Sequence, residues 1–117
     1  MSRRARAARG RQDGNTRELD GALRRLGASF QDTSTVGGGF PDRVVGYRGR
    51  TVLVEYKTDT GRIEPSQRDF ALGWRGAPVY IVRTIEDICS MLHRVATHTP
   101  GMTSGADAAP ATGRQEE

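Results

Sequence analysis

The stretch GFPDRVVGYRGRTVLVEYK, residues 39–57, decides how the rest of the chain is understood. Asp42 to Arg48 and Thr51 to Lys57 are two runs rich in valine and aromatic residues, and Gly49 lies between them, which predicts an antiparallel hairpin. Strand side chains alternate between faces, so Leu53, Glu55 and Lys57 share one face and Val52, Val54 and Tyr56 take the other. Glu55 and Lys57 therefore project together, about 7 Å apart along the strand. A hairpin turning at Gly49 sets position 42 opposite about position 56, from where a bend or bulge would bring the Asp42 carboxylate to Glu55.

Working outward on the N-terminal side, Asn15 and Glu18 have the spacing of a capping box, and Leu19, Ala22, Leu23 and Leu26 follow at helical spacing before Gly27. A short strand is expected over 28–32 and a glycine-rich loop over 33–40. On the C-terminal side a second helix is expected from Pro65 to about Gly76, with Gln67, Phe70 or Ala71, and Trp74 on one side of it. Residues 78–83 read as a further strand. Thr84 then caps a last helix with Ile85, Ile88, Leu92 and Val95 as its buried stripe. The order helix, three strands, helix, strand, helix predicts an α/β domain, because the crossover helix makes the last strand parallel to its neighbour in a mixed sheet.

Two carboxylates beside an ammonium build a poor core and a good site for Mg²⁺ against a phosphodiester. Asp42 and Glu55 would bind the hard cation. Lys57 would orient the attacking water or stabilise charge on the phosphorane; nearby carboxylates favour its charged form, which argues against its acting as the base.

Composition narrows the alternatives. The chain has 117 residues, a formal net charge of +4 and a pI of about 10.0, and of its 18 basic residues only Lys57 is a lysine. Lys57 does not follow a glycine-rich turn, which excludes a phosphate-binding loop of the Gly-Lys-Ser/Thr kind. One cysteine, Cys89, precludes an intrachain disulfide and a multi-cysteine zinc site, and fits a reducing, cytoplasmic setting. No apolar run is long enough for a membrane span, and none follows the N-terminal arginines as a secretory signal would require.

The basicity is local. Residues 1–12 carry +5, residues 13–99 carry +1 and residues 100–117 carry −2. A disordered basic arm (1–12), a folded domain (13–97) and a disordered tail (98–117) are expected. Such an arm suits salt-sensitive contact with nucleic acid, although a preference for arginine codons would produce it equally well.

Pro41-Asp42 followed by Glu55-Tyr56-Lys57, together with Gly39-Phe40 before it and Gln67 and Trp74 after it, resembles the PD-(D/E)XK nuclease signature. In detail it is similar to the VRR-NUC branch, and particularly to its small stand-alone phage and prophage members; the likeness spans about residues 13–94. It implies a restriction-endonuclease-like core and a Mg²⁺-dependent DNA endonuclease, with Mn²⁺ able to substitute. Asp42, Glu55 and the backbone carbonyl of Tyr56 would be the metal ligands and Lys57 the catalytic lysine. Glu18 matches the acidic residue of the first helix and Gln67 the glutamine opening the second, although the capping box and a helix-start bond to backbone account for these two as well. Glu64 stands where the family often has Thr or Ser. The minimal members resemble homodimeric Holliday junction resolvases, which implies branched DNA as substrate and, for a phage protein, the cytoplasm of a bacterial host.

Paired incisions across a junction need two active sites related by a twofold, so a homodimer is expected. A nicking or flap-type nuclease would follow from a monomer. The alternative of another class is a non-catalytic DNA-binding or packaging accessory protein on the same fold. Gly37 to Gly39 should let the chain bend and approach DNA. His93 and His98 read as surface residues and Cys89 as a small buried hydrophobe.

Overall fold

The computed structural model describes residues 15–98; the arm expected over 1–12 lies outside them, as does the tail apart from His98. Helix α1 covers 15–25 and buries Leu19, Ala22 and Leu23. It ends in a Schellman arrangement: Gly27 takes φ 91°, its N–H donates to the Arg24 carbonyl, and the Ala28 N–H donates to the Leu23 carbonyl. That turn carries Leu26 off the buried stripe, leaving it 41% exposed and not in the core as its spacing suggests. Asn15 is already helical and not the cap that the sequence predicts.

Strand β1 (Ser29–Asp32) pairs antiparallel with β2 (Arg43–Tyr47), which pairs antiparallel with β3 (Arg50–Tyr56). Arg48 and Gly49 both have positive φ, 51° and 81°, as a primed two-residue hairpin turn requires. The turn is thus centred between residues 48 and 49 and not on Gly49, which moves the register by one from the sequence expectation. Arg43 faces Val54, so position 42 falls opposite Glu55 and on the same face of the sheet. No bulge is needed to bring the two acids together.

Helix α2 (Pro65–Gly73) crosses over to β4 (Tyr80–Val82), which runs parallel to β3. Both elements are shorter than their sequence patterns: the backbone is already extended at Trp74, and pairing to β3 covers only three residues. Helix α3 (Ile85–Thr97) starts at the Thr84 cap, whose hydroxyl accepts the Asp87 N–H while Asp87 accepts the Thr84 N–H.

The result is a mixed α/β architecture, a four-stranded sheet in the order β1-β2-β3-β4 with three helices among the described residues. Val45, Val52, Val54, Tyr56 and Val82 from one face form a single core with the apolar residues of α1 and with Ile88, Met91, Leu92 and Val95 of α3. Cys89 is exposed, contrary to the expectation that it is buried, because it follows Ile88 by one position and so turns away from that stripe. His93 and His98 are exposed.

The opposite face of the sheet carries Leu53, Glu55 and Lys57. There the loop before β2 meets the start of α2: a Cβ on Gly39 would lie 2.2 Å from the Ser66 carbonyl oxygen. No described helix is long and apolar enough to cross a membrane.

Candidate active site

Asp42, Glu55 and Lys57 come together at the end of the hairpin remote from its turn. The β2–β3 ladder stops there for a local reason. Continuing it would place Pro41 opposite Tyr56, and proline has no N–H to donate. The chain bends at Asp42 instead, and the Tyr56 N–H donates to Asp42 Oδ2 at 2.9 Å. In an extended strand the C=O of a residue points to the same side as its N–H, so the Tyr56 carbonyl is also directed to the Asp42 side, with no ladder donor opposite it.

Glu55 is 4% exposed. Its Oε2 accepts from Gln67 Nε2 at 2.6 Å and lies 3.6 Å from Lys57 Nζ. The Glu55 and Asp42 carboxyls are within hydrogen-bonding reach of one another. Burial, followed by the charge of Asp42, pushes the Glu55 carboxyl up to about 7 against the opposing pull of Lys57. Burial also raises Asp42, opposed by the Tyr56 N–H and by Arg43 and Lys57. Both carboxyls are thus raised, and the pair holds a proton to higher pH than an isolated carboxylate would.

Gln67 has two tasks. Its Oε1 accepts the N–H of Glu64, the N-cap of α2, at 2.9 Å, and this leaves Nε2 aimed at Glu55. One side chain thus makes both the helix-start bond and a bond to Glu55. The Lys57 backbone is held from two elements: its N–H donates to the Val82 carbonyl and its C=O accepts from Asn15 Nδ2. Arg83 Nη1 then donates to the carbonyls of Thr58 and Gly61, fixing the loop that leaves Lys57.

Behind the carboxylates lies a network that sequence reasoning missed. Arg43 is 3% exposed; its Nε and Nη2 bond both oxygens of Asp20 at 3.0 Å, and its Nη1 donates to Asp32 Oδ1 and to the Asp42 carbonyl. The Tyr56 hydroxyl donates to Asp20 Oδ1 at 2.6 Å, and the Arg43 guanidinium lies 5.0 Å from the Tyr56 ring centroid. Burial and the Asp20 bond raise the Tyr56 phenol, which keeps it a donor. The available signal is strand alternation: Arg43 and Val45 share a face, so an arginine is directed inward.

Glu18 is not brought into this group. It is exposed on α1 and lines a neighbouring depression with Thr58, Asp59 and Arg83, and it forms no bond or ion pair with Asp42, Glu55 or Lys57. The acid of α1 that reaches the hairpin strands is Asp20, on the side of the core. The cleft over the site has a volume of about 340 Å³; beside Asp42 and Lys57 it is lined by the polar side chains of Asn15, Thr16, Ser34, Thr35 and Thr58.

No group of three His, Cys, Asp or Glu side chains gathers for a metal among the described residues. The donors that do converge are two carboxylates and a backbone carbonyl directed to their side, all hard oxygens, which suit Mg²⁺ or Mn²⁺ and leave out the nitrogen and sulfur ligands typical of zinc. A divalent cation would also replace the proton that the acid pair otherwise shares. Compared with known proteins, the chain matches no family model, no curated protein and no solved structure.

Proposed function

We propose that the chain is a metal-dependent endodeoxyribonuclease of restriction-endonuclease-like fold, similar to the VRR-NUC branch of the PD-(D/E)XK nucleases. The observation that carries this reading is the convergence of Asp42 and Glu55 with Lys57 Nζ 3.6 Å from the Glu55 carboxyl, where Asp42 and Lys57 line a polar cleft. The order of elements, with a parallel crossover after an antiparallel hairpin, is the one expected of that fold.

The reaction is hydrolysis of a phosphodiester: water attacks phosphorus, its proton passes to solvent or to a phosphate oxygen, and the bond to the leaving sugar oxygen breaks as that oxygen takes a proton from solvent. Asp42, Glu55 and the Tyr56 carbonyl would hold Mg²⁺ or Mn²⁺, which lowers the pKa of water and offsets charge gathering on the phosphate. Gln67 fixes the free rotation of the Glu55 carboxyl. Lys57 places a compact positive charge where the attacking water and the phosphate oxygens meet. Neutral hydroxyls from Thr16, Thr35 and Thr58 line the cleft and offer donors to the flanking backbone, whereas the Ser34 hydroxyl is taken by Asp32.

Branched DNA is the substrate this reading favours, cut by a homodimer that presents two sites across a junction, with the arm at 1–12 adding sequence-independent affinity. Incubation with a four-way junction, a duplex and a single strand, each with Mg²⁺, Mn²⁺ or EDTA, tests it. Metal-dependent cleavage that Lys57→Met abolishes is the expected result. DNA binding with no cleavage under any metal would replace the enzyme by an accessory DNA-binding protein.

A further inference from the structure

Three aromatic rings run in a row from the loop before Asp42 to the surface. Phe40 meets Phe70 edge-on with centroids 5.2 Å apart, and Phe70 stacks on Trp74, also at 5.2 Å, with planes 23° apart. The row ends in an indole that is 43% exposed, at the C-cap of a helix with no buried residue. The indole is held in one orientation. Phe70 lies on it, and the backbone of Gly76 passes so near that a Cβ there would come within 2.6 Å of Nε1.

Two observations say what covers it. The first is continuity with the carboxylates: Gln67, which bonds Glu55, is one turn before Phe70 on the same helix, and Phe40 is two residues before Asp42. A strand leaving the cleavage point along α2 meets these rings in succession. The second is charge. Arg75, which directly follows Trp74, is exposed and forms no ion pair with another described residue. An aromatic face beside an uncompensated guanidinium is an arrangement that stacks a nucleobase and neutralises its phosphate.

We propose that Trp74 is a stacking site for an unpaired base of the DNA strand that continues from the cleavage point. The preferred substrate then carries single-stranded nucleotides beside the scissile phosphate. This rests on the nuclease reading of the site and narrows it, since a fully paired duplex has no base to offer.

Trp74 is the only tryptophan of the chain, so its emission reports the site directly. The full chain is titrated in EDTA with a short oligothymidylate and, separately, with a blunt duplex. The expected result is saturable quenching by the oligothymidylate and little by the duplex. Anisotropy of labelled oligothymidylate should show Trp74→Ala binding about 10-fold or more weaker, with Trp74→Phe recovering most of the affinity. Both variants should melt with the parent, because the ring is outside the core.

If oligothymidylate binds but leaves the emission unchanged, or if Trp74→Phe binds as weakly as Trp74→Ala, the stacking site is wrong and the nuclease reading stands. If no form of DNA binds, both fall. A spectral shift that follows protein concentration and ignores oligothymidylate would assign the ring to contact with a second copy, overturning the proposal.

Discussion

Glu55 is held out of water next to a second acid and costs stability whenever it is ionised without a counter-charge. Its carboxyl is raised from the ordinary 4.5 to about 7, so between those values the folded chain binds more protons than the unfolded one. Stability should therefore fall as pH rises across that window, by at most on the order of 3 kcal/mol, with Asp42 adding in the same sense. Mg²⁺ should raise the melting temperature clearly at pH 8 and hardly at pH 5, and Glu55→Gln should flatten the metal-free profile. Differential scanning fluorimetry across pH, with and without Mg²⁺, measures both. Lys57 makes a complementary prediction. Its side chain is 10% exposed with Nζ 3.6 Å from Glu55, a space that suits a compact ammonium and not a planar guanidinium. Lys57→Arg and Lys57→Met should each lower cleavage by about 100-fold or more while retaining binding of labelled DNA in EDTA.

At the level of elements, the site depends on α2 standing where it does against the loop before β2. Gly39 has φ 82° and no room for a Cβ, whereas Gly37 has φ 86° and open space around it. Gly39→Ala must push the loop and α2 apart and draw Gln67 away from Glu55. We expect it to cost about 2–3 kcal/mol in urea denaturation and most of the cleavage activity; Gly37→Ala, strained only in its backbone, should cost about 1 kcal/mol. The buried network gives a second contrast. Arg43→Met leaves Asp20 without its counter-charge and should cost about 3–5 kcal/mol, whereas Tyr56→Phe removes one hydrogen bond and should cost about 1 kcal/mol.

These same elements show what is legible in the sequence. The hairpin, the stripes of α1 and α3, and the pairing of Glu55 with Lys57 on one face all follow from periods of two and 3.6. Local capping decides the features that the periods do not show. Leu26 fits the stripe but falls in the Schellman turn, and Gly49 reads as the centre of a turn that in fact includes Arg48. The partnership of Asp20, Arg43 and Tyr56 joins three separate elements, and no spacing in the chain encodes it. Only the inward direction of Arg43 hints at a buried charge in need of a partner.

At the scale of the whole molecule, one face of the sheet is closed by α1 and α3 and the other supports the site and a helix with no buried residue. With +1 of charge on residues 13–99, the body alone is a weak attractor for DNA, and the +5 on residues 1–12 should supply most of the long-range affinity. Deleting residues 2–12 should weaken binding to every DNA form alike and flatten its salt dependence by about 0.9 for each phosphate that the arm no longer neutralises. Filter binding over a salt series reads this out; an unchanged slope would leave the arm as a matter of codon usage. Light scattering at micromolar concentration should show a dimer, and a strict monomer would remove the paired-incision reading in favour of a nicking or flap-type activity.

Gln67 joins the two halves of this arrangement. One amide group closes the first turn of α2 with its oxygen and orients Glu55 with its nitrogen, so the position of the helix and the attitude of the acid are a single variable. Anything that steadies α2 from outside, a strand lying along it included, also steadies Glu55. On the proposed function, cation and strand would be coupled ligands, and by reciprocity each would tighten the other by the same factor. Such a nuclease would be poorly loaded with metal until DNA arrives, an economy that keeps the chemistry quiet in the absence of something to cut.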